Sequence, residues 1–370
     1  MIDLFKRLLL MKVLFLTNMP TPYRVDFCNC LSKYCQLTVF FEGKRTNRRK
    51  YNWIDESQFQ FAYYFAAELR NEQKIRWNIL YKSLRGQYDK IIIGCYHTYT
   101  QSILVLLLKL LHKKYIFETD GGIIPLTENI LKKKCKRLLI GNAAKYLSPS
   151  AATDQYLMHY GVPTDKIFRY PFTSIRGVDL AEHVPTPQQK QDLRKTLGID
   201  AAYLIITVGQ FIHRKGFDIL LRAMKDVHSN VMACIVGGTP TDEYLSIVKE
   251  LNLKNILFIP FLSLKDLIQY YRAADLFVLP TREDIWGLVV NEAMAQGLPA
   301  ITTDKCIAGI ELITDKDLIV KTEDPSELSK AINSLLDNPQ KMREIAENNL
   351  QIMHKYTIES MAQTIYEAIK

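Results

Sequence analysis

The sequence lacks several patterns that would place it at once in a class of protein. None of its seven cysteines forms the C-x-x-C pair of a redox or zinc site, so we expect reduced thiols in a cytosolic protein. The longest apolar stretch, 103–111, is interrupted by Lys109 and is far shorter than a membrane-spanning helix. No small-residue cleavage site follows the apolar amino terminus before Pro20, which favours a first strand over a signal peptide. We therefore expect no segment that crosses a membrane.

The composition is that of a soluble globular protein, with 48% hydrophobic and 24% charged residues. A chain of 370 residues is too long for one ordinary core and suits two domains. The net charge of +9 is uneven, because residues 1–180 hold 28 Lys and Arg against 14 Asp and Glu, whereas the remainder holds 20 against 25. This imbalance indicates an anionic partner for the first half.

Short apolar runs alternate with helical patterns along both halves. The predicted strands lie at 13–17, 37–41, 90–93, 114–117, 204–209, 232–238, 255–260 and 274–280, and the clearest helices at 101–111, 217–227 and 265–273. This alternation predicts an α/β fold of two Rossmann-like domains that face each other across a cleft. We expect domains at 1–180 and 181–356 with a linker at 178–190. The amphipathic segment 357–370 is expected to pack back on one domain and is assigned to the first.

The stretch 280–304, PTREDIWGLVVNEAMAQGLPAITTD, is the most specific part of the sequence. It leads from a predicted strand through a loop into a helix at 288–296, stopped by Gly297 and Pro299. Gly287 is therefore placed at a helix N-terminus beyond the carboxyl end of a strand, where backbone N–H groups and the helix dipole favour a phosphate. Open α/β sheets bind their ligands in this crevice.

Two carboxylates flank this turn. Asp284 lies in the loop, and Glu292 lies in the helix among small and apolar residues. A carboxylate accepts two hydrogen bonds well from a vicinal diol such as a ribose, so the pattern indicates a nucleotide-sugar. The alternative is that Glu292 is a solvated helix residue and Asp284 has a local turn role.

These residues resemble the motif of retaining glycosyltransferases with the GT-B fold, the large group called family four. The family pattern is an acid, seven residues and then Glu, over a Phe-Gly-Leu turn; here Asp284 stands where Glu is usual and Trp286 replaces the Phe. The segment VGQFIHRKGFDILLRA, 208–223, resembles the family's donor-phosphate loop, with Lys215 matching its Lys and Gln210 in the position of its Arg. The strand end IVGG, 235–238, is similar to the family's glycine-rich approach to the nucleotide.

The resemblance implies a role for each of these positions. Glu292 is expected to accept from the nucleotide ribose, and Asp284 to contact donor-sugar hydroxyls as a catalytic residue together with Lys215 and Asp120. Arg214 or another cation would compensate for the neutral Gln210, and no metal or cofactor is needed because cations and a helix N-terminus stabilise the leaving diphosphate. The other expected donor-binding residues are Gly237 near the nucleotide, Phe261 and Leu262 near the base, and the backbone N–H groups of Gly287, Leu288 and Val289.

The first half carries the acceptor candidates. Arg24, in NMPTPYRVDF (18–27), is expected to meet an acceptor phosphate, and a surface Arg beside a turn is the alternative. His97 lies just beyond a predicted strand, where it either contacts the acceptor or is a structural His. Asp120, in FETDGG (117–122), orients an acceptor hydroxyl or serves as its base, near where related enzymes often have a His; an Asp that caps the turn is the alternative.

Two basic segments lie in this half, GKRTNRRK at 43–50 and ILKKKCKRLLIG at 130–141. In the second, Leu131, Cys135, Leu138 and Leu139 fall at helical spacing with basic residues around the other face. That pattern is typical of a helix on an anionic bilayer, and a solvated face is the alternative. We expect a membrane surface and a lipid-linked acceptor as partners, on the cytoplasmic side of the plasma membrane. No nucleic-acid motif accompanies the basic residues, so nucleic acid is not an expected partner.

The sequence thus predicts a metal-independent retaining hexosyltransferase. It would move a sugar from a nucleoside diphosphate to a hydroxyl of a lipid-linked sugar, in the assembly of a surface polysaccharide or glycolipid. Two alternatives stay open. A nucleotide-sugar epimerase of the same architecture needs the donor clamp and no acceptor, and a non-catalytic subunit of a glycosyltransferase complex keeps the fold and loses donor binding, as the departures at Gln210 and Asp284 allow.

Overall fold

The computed structural model describes residues 10–44, 55–94, 96–125 and 127–370 and divides the chain into two compact units. The first unit contains the described residues up to Arg176 together with Thr357–Lys370, and the second contains Gly177–Tyr356. The chain therefore passes from the first unit to the second and back again. Most of the basic segment at 43–50, and Cys95, lie outside the described residues.

A parallel sheet of seven strands, in the order β3-β2-β1-β4-β5-β6-β7, forms the centre of the first unit. Its strands are β1 Lys12–Thr17, β2 Gln36–Phe41, β3 Ala62–Phe65, β4 Lys90–Gly94, β5 Ile116–Glu118, β6 Lys145–Ser148 and β7 Ile167–Arg169. The helices between them are α1 Pro22–Leu31, α2 Trp77–Arg85, α3 Tyr99–Leu110, α4 Ile130–Ile140 and α5 Ala151–His159, with 3-10 turns at Glu56–Gln58 and Thr164–Lys166.

The inner strands of this sheet form where the sequence has short, largely buried apolar runs. Residues 13–16 of the central strand β1 are all buried, as expected for a parallel sheet covered on both sides. Phe15 is paired with Val39 of β2 on one side and with Ile92 of β4 on the other. The predicted strand at 114–117 is instead Ile116–Glu118, so its acidic last residue belongs to the strand.

The second unit has a parallel sheet of six strands in the order β10-β9-β8-β11-β12-β13. Its strands are β8 Tyr203–Val208, β9 Val231–Val236, β10 Ile256–Ile259, β11 Leu276–Leu279, β12 Ala300–Thr303 and β13 Ile319–Val320. Its helices are α6 Pro187–Thr196, α7 Phe217–Ala223, α8 Asp242–Glu250, α9 Leu264–Ala273, α10 Leu288–Met294, α11 Ile307–Leu312, α12 Pro325–Leu336 and α13 Pro339–Met353, with 3-10 turns at Gly177–Asp179, His213–Lys215 and Lys316–Leu318. Nowhere in the described ranges is a helix both long enough and apolar enough for a membrane crossing.

The last helix, α14 Ile358–Ile369, belongs to the first unit. Its buried face includes Met361 and Ile365, the two positions that the sequence marks as apolar, and it packs against α1. The rings of Tyr34 and Tyr366 stack with their centroids 5.3 Å apart. The end of the chain therefore supports the helix that carries the acceptor candidate Arg24.

The segment 178–190, expected as a linker, is part of the second unit. Gln296 Nε2 donates to the Asp179 carbonyl at 2.7 Å, which ties the start of the segment to that unit. Its end is helical, because Thr186 caps α6 in a capping box and Pro187 occupies the first helical position. Here the prolines mark the start of a helix instead of a flexible connection.

Helices α7 and α10 are shorter than the sequence predicts, ending at Ala223 and Met294. In both cases the following residues make tighter hydrogen bonds between positions three apart, which end an α-helix. Asp226 N donates to the Ala223 carbonyl at 3.0 Å, and Gly297 N donates to the Met294 carbonyl at 3.0 Å. The apolar periodicity continues through these turns, so it does not reveal where the helix ends.

Candidate functional site

The predicted donor residues lie at one edge of the second sheet. Strands β10, β9, β8 and β11 are parallel neighbours, so the loops that follow them meet at a common carboxyl edge. Gln210, Arg214 and Lys215 follow β8, Gly237 follows β9, Phe261 and Leu262 follow β10, and Asp284 follows β11. This edge is the candidate donor site.

An ion pair joins two of these loops. Lys215 Nζ donates to Asp284 Oδ2 at 2.6 Å, and Arg214 Nη1 lies 3.5 Å from the same oxygen. The Lys215 and Asp284 side chains are only 13% and 11% exposed, whereas that of Arg214 is 45% exposed. Arg214 Nη1 also donates to the Glu283 carbonyl at 2.6 Å. Two cations therefore converge on one carboxylate at the sheet edge.

Two glycines allow the loops to approach so closely. Gly216 has φ +67°, and a Cβ atom there would lie 1.9 Å from the Pro280 carbonyl oxygen. Gly237 has φ +145°, and a Cβ atom there would lie 1.9 Å from the Gly209 carbonyl oxygen. A side chain at either position would push apart the loops that follow β8, β9 and β11.

The loop around Asp284 is fixed by its own backbone. Asp284 N donates to the Lys305 carbonyl at 2.9 Å, and Ile307 N donates to the Asp284 carbonyl at 3.2 Å. The side chain of Trp286 is buried, and its indole N–H donates to Asn291 Oδ1 at 2.8 Å. The Trp that stands in the place of Phe therefore has a partner for its polar atom inside α10.

Gly287 is the N-cap of α10, and Leu288 and Val289 form its half-buried first turn. Val290 N donates to the Gly287 carbonyl at 2.8 Å, which closes that turn. The helix has seven residues, fewer than its predicted span of 288–296, so its dipole is weaker than expected. Phosphate binding by these backbone N–H groups stays a prediction.

Glu292 lies in the middle of α10 and is half-buried. It accepts a hydrogen bond at 3.1 Å from the hydroxyl of Tyr271, a fully buried residue that the sequence analysis does not identify. Burial, and then the Glu292 carboxylate, hold the pKa of Tyr271 well above its usual range, so the phenol remains a hydrogen-bond donor. The alternative of a solvated Glu292 is therefore wrong, and its contact with a ribose stays a prediction.

The remaining donor candidates are placed by topology. Gln210 and Phe261 are exposed and Leu262 is half-buried, on the loops beyond β8 and β10. Among the predicted donor residues, direct contacts join Lys215 and Arg214 to Asp284. Among the residues that the structure describes, no three His, Cys, Asp or Glu side chains are grouped to hold a metal ion. The expectation that no cofactor is needed stays a prediction.

In the first unit, Arg24 lies in the first turn of α1 and is 3% exposed. Its Nη1 donates to Glu118 Oε1 at 3.0 Å, and its Nη2 donates to Asp120 Oδ1 at 2.5 Å. The guanidinium carbon also lies 5.2 Å from the centroid of the Phe15 ring. The alternative of a surface Arg is therefore wrong. An acceptor phosphate would have to compete with two carboxylates for this cation.

Asp120 is held through both carboxylate oxygens and still keeps 37% of its side chain exposed. Its second oxygen accepts from the Tyr23 hydroxyl at 3.2 Å. The following turn is closed by Thr119 instead, whose hydroxyl donates to the Gly121 carbonyl at 2.8 Å. The alternative of an Asp that caps this turn is therefore wrong.

Two buried carboxyl groups near this edge are absent from the predicted site. Glu118 accepts from Arg24 and from the Tyr170 hydroxyl at 3.1 Å, and burial raises its pKa to about 7 although the charge of Arg24 lowers it. Glu42, next after β2, accepts from the Thr98 hydroxyl, and burial raises its pKa to about 7 as well. In the sequence, Glu118 and Glu42 each stand at the end of an apolar run, and this is the signal from which they could have been identified.

His97 lies between β4 and α3 with an exposed side chain, and its contact with the acceptor stays a prediction. Its ring centroid lies 5.0 Å from that of Tyr96. Because β1, β4 and β5 are parallel neighbours, the residues after their carboxyl ends, Arg24, His97 and Asp120, share one sheet edge. Direct contacts join two of these acceptor candidates, Arg24 and Asp120.

Comparison with known proteins gives a family match for most of the second unit. Residues 189–351 match the family described as glycosyl transferases group 1. The D-inositol 3-phosphate glycosyltransferase of Rhodococcus opacus (strain B4) is 26% identical over 59% of this chain and 51% of the relative. The GDP-mannose-dependent monoacylated alpha-(1-6)-phosphatidylinositol monomannoside mannosyltransferase of Corynebacterium glutamicum is 32% identical over 44% of this chain and 46% of the relative. The chain thus spans about half the length of these relatives.

The likeness to solved structures extends over nearly the whole chain. The crystal structure of Anabaena HepE in complex with UDP covers 96% of this chain and 99% of its own, with a TM-score of 0.79 and 18% identity. At this identity the likeness concerns the fold alone. The predicted GT-B fold, with a parallel sheet in each of two α/β units, is confirmed.

Proposed function

Because residues 189–351 match the family described as glycosyl transferases group 1, we propose that this protein is a retaining, metal-independent glycosyltransferase. It moves a hexose from a nucleoside-diphosphate sugar to a hydroxyl of a lipid-linked sugar, in the assembly of a surface polysaccharide or glycolipid. The observation that carries the proposal is the convergence of Lys215 and Arg214 on Asp284 at the carboxyl edge of the second sheet.

Lys215 and Arg214 supply the positive charge that a diphosphate requires. Both cations stand within 3.5 Å of one Asp284 oxygen, so they are close enough together to contact a single phosphate group. Gln210 and the N–H groups at the start of α10 add neutral donors. Negative charge grows on the diphosphate as the sugar leaves, and cations held in place beforehand stabilise that charge most effectively.

Glu292 contacts the nucleoside end of the donor in this proposal. A carboxylate accepts hydrogen bonds well from the two hydroxyls of a ribose, and a buried phenol already orients that of Glu292. Gly237 lets the chain pass close to the nucleotide, and Phe261 and Leu262 offer apolar surface to the base. A likeness to a protein crystallised with UDP and to a relative named as GDP-mannose-dependent makes uridine and guanosine the first bases to test.

The proposed chemistry is a displacement on one face of the sugar. The bond between the anomeric carbon and the diphosphate oxygen breaks, and the acceptor oxygen bonds to the carbon from the same side. The acceptor proton passes to the departing diphosphate, whose charge Lys215 and Arg214 balance. Asp284 holds sugar hydroxyls during this step, and its ion pair with Lys215 keeps its carboxylate in position.

The proposed contacts with the acceptor lie at the carboxyl edge of the first sheet. Asp120 accepts a hydrogen bond from the acceptor hydroxyl, since part of its carboxylate is exposed while Arg24 and Tyr23 fix its orientation. Arg24 contributes by holding Asp120, because its guanidinium already carries two ion pairs. His97, which is exposed on the same edge, contacts the acceptor sugar.

The experiment that tests the donor site is a calorimetric binding screen with UDP-, GDP- and ADP-hexoses. We expect saturable binding of one donor, and a loss of roughly 10–100-fold in affinity for Glu292→Ala, because a charged hydrogen-bond acceptor is removed. Glu250→Ala, which removes an exposed carboxylate at the end of α8, is the matched control and should bind as the wild type does.

The same screen separates the alternatives. Turnover of the bound donor without any acceptor would identify an epimerase, and no binding of any donor would identify a non-catalytic subunit. Once an acceptor is known, NMR of the product should show that the transferred sugar keeps the anomeric configuration that it had in the donor. A product with the inverted anomeric configuration would overturn the retaining mechanism, but it would not count against the proposed donor site.

We also propose that helix α4 docks the protein on an anionic membrane from the cytoplasmic side. The apolar residues Ile130, Leu131 and Leu138 are exposed on α4, and neighbouring α3 is followed by the exposed Leu111. Lys136 is paired with Glu128 at 3.0 Å. The basic side chains that remain exposed on the helix are Lys132, Lys134 and Arg137. Apolar and basic groups on one exposed helix suit the boundary between headgroups and acyl chains.

Vesicle binding tests this surface. For Lys132→Gln/Lys134→Gln we expect roughly 30-fold weaker binding to phosphatidylglycerol vesicles, since each basic residue near such a surface contributes about 1 kcal/mol. The control Lys225→Gln/Lys330→Gln removes two exposed charges from the second unit and should bind normally. Equal losses in both double variants would show only an effect of net charge and would count against a docking helix.

A further inference from the structure

Arg282, which lies two residues before Asp284, joins three loops of the second unit. Its guanidinium forms a two-pronged ion pair with Asp218, with Nη1 2.8 Å from Oδ1 and Nη2 2.7 Å from Oδ2. The same group is paired with Glu323, where Nη2 lies 3.0 Å from Oε2. The side chains of Arg282 and Asp218 are 14% and 17% exposed, whereas that of Glu323 is 56% exposed, so the ion pair with Asp218 is the one that is largely shielded from water. A shielded, bidentate ion pair is the strong kind.

Arg282 also holds the turn that carries the two donor-site cations. Its Nη1 donates to the His213 carbonyl at 2.7 Å, and its backbone N–H donates to the Arg214 carbonyl at 2.8 Å. The Thr281 hydroxyl donates to the same Arg214 carbonyl at 2.9 Å. Three hydrogen bonds from residues 281 and 282 therefore fix the backbone of His213–Lys215 against the loop that ends in Asp284.

The third loop that Arg282 joins contains Glu323, whose backbone conformation is unusual. Glu323 has φ +66°, a left-handed conformation that is strained for a residue with a side chain. Such strain persists where surrounding contacts impose it, and it concentrates at functional sites. The contacts here are the ion pair of Glu323 with Arg282, and the Asp304 carboxylate, which accepts from Thr322 N at 3.0 Å.

The contacts between Arg282 and Asp218 favour the charged form of both groups. Burial raises the pKa of Asp218, but its hydrogen bonds to Arg282 and the guanidinium charge outweigh burial and lower it below its usual value. The pKa of Arg282 is raised by the same hydrogen bonds to Asp218 and by those to Glu323. The ion pair of Arg282 with Asp218 therefore keeps its charges down to a lower pH than an ordinary Asp carboxylate would allow.

We propose that Arg282 is a positioning residue for the donor diphosphate: it locks the turn His213–Lys215 so that Arg214 and Lys215 stand ready for an anion before the donor arrives. This inference rests on the proposed donor site. Arg282 touches no donor atom itself, because its guanidinium is used by Asp218, Glu323 and the His213 carbonyl. Its effect reaches the donor through the backbone of the turn, since a misplacement of about 1 Å is enough to cost roughly 100-fold in rate.

The test compares Arg282→Gln and Arg282→Lys with wild type, by calorimetric affinity for UDP and GDP and by kcat and KM. We expect Arg282→Gln to lose roughly 10–100-fold in nucleotide affinity, with a corresponding rise in KM. Arg282→Lys keeps one contact to Asp218 and should recover part of that loss. The control is Arg222→Gln, which removes an exposed cation from α7 and should leave affinity unchanged.

A second variant separates positioning from stability. Glu323→Gly relieves the left-handed strain and removes one ion pair of Arg282, so the fold should be no less stable while nucleotide affinity falls several-fold. Unchanged affinity in both Arg282→Gln and Glu323→Gly would overturn the positioning role. If wild type itself binds neither nucleotide, the proposed donor site fails, which is a different result.

Discussion

Lys215→Ala is expected to lower kcat/KM for the donor by about 10²–10³-fold, the range typical of removing one preorganised group that stabilises growing negative charge. The effect should be large because the Lys215 ammonium is mostly buried and lies 2.6 Å from the catalytic candidate Asp284. Loss of Lys215 also leaves the mostly buried Asp284 with Arg214 as its nearest cation, 3.5 Å away. Steady-state kinetics with the donor found in the binding screen measures the effect.

A double-mutant cycle shows whether the two residues work as a unit. Asp284→Asn alone should also be severe, and Lys215→Ala/Asp284→Asn should cost much less than the product of the single losses, because each single change already disrupts the shared site. Lys225→Ala, which removes an exposed Lys, is the control. A loss of less than twofold in kcat/KM for Lys215→Ala would show that Lys215 has no role in the mechanism.

At pH 8, Arg24→Met is expected to lower the free energy of unfolding of the first unit by about 3–5 kcal/mol, the usual cost of breaking a buried ion pair from one side. Met keeps the apolar length against Phe15, so the loss is due to charge. The change leaves the buried Glu118 without its cation, while Asp120, more exposed, is affected less. Urea unfolding followed by fluorescence gives the difference from wild type.

This loss should depend on pH in a defined direction. In the wild type, burial raises the pKa of Glu118 to about 7, above its usual value, so folding takes up a proton and stability falls as pH rises toward 7. Without Arg24 the pKa of Glu118 rises further, so stability of the variant keeps falling above pH 7. The difference between the proteins should therefore be larger at pH 8 than at pH 6. Arg24→Met/Glu118→Gln should remove this pH dependence and recover part of the stability.

The sequence predicts the fold well because burial on both faces leaves a direct pattern. Apolar runs such as 204–209 appear in the structure as strands within one or two residues. The sequence also shows glycine at positions 216 and 237, where two backbone segments approach so closely that a side chain has no room. Helix ends are less readable, because the apolar pattern of α7 and α10 continues past the last helical hydrogen bond.

Contacts between distant residues are the part that a single sequence does not reveal. Arg24 meets Glu118 and Asp120 across about a hundred positions, so a buried ion pair looks in the sequence like a surface Arg. Likewise Tyr271 is an ordinary aromatic residue of α9 until the fold brings it to Glu292. The motif indicates which residues bind a donor, whereas the residues that hold them in place become visible only in three dimensions.

The return of the chain to the first unit at Thr357 sets an order of events during synthesis. All of Gly177–Tyr356 must leave the ribosome before α14 can reach α1, an interval on the order of 10–40 s at the usual rate of translation. During that time the second unit can complete its fold while the apolar face that α14 covers is still open in the first. The second unit, which carries the proposed donor site, can therefore fold before the first is complete, and until then the uncovered apolar face of the first unit is a surface that a chaperone can bind.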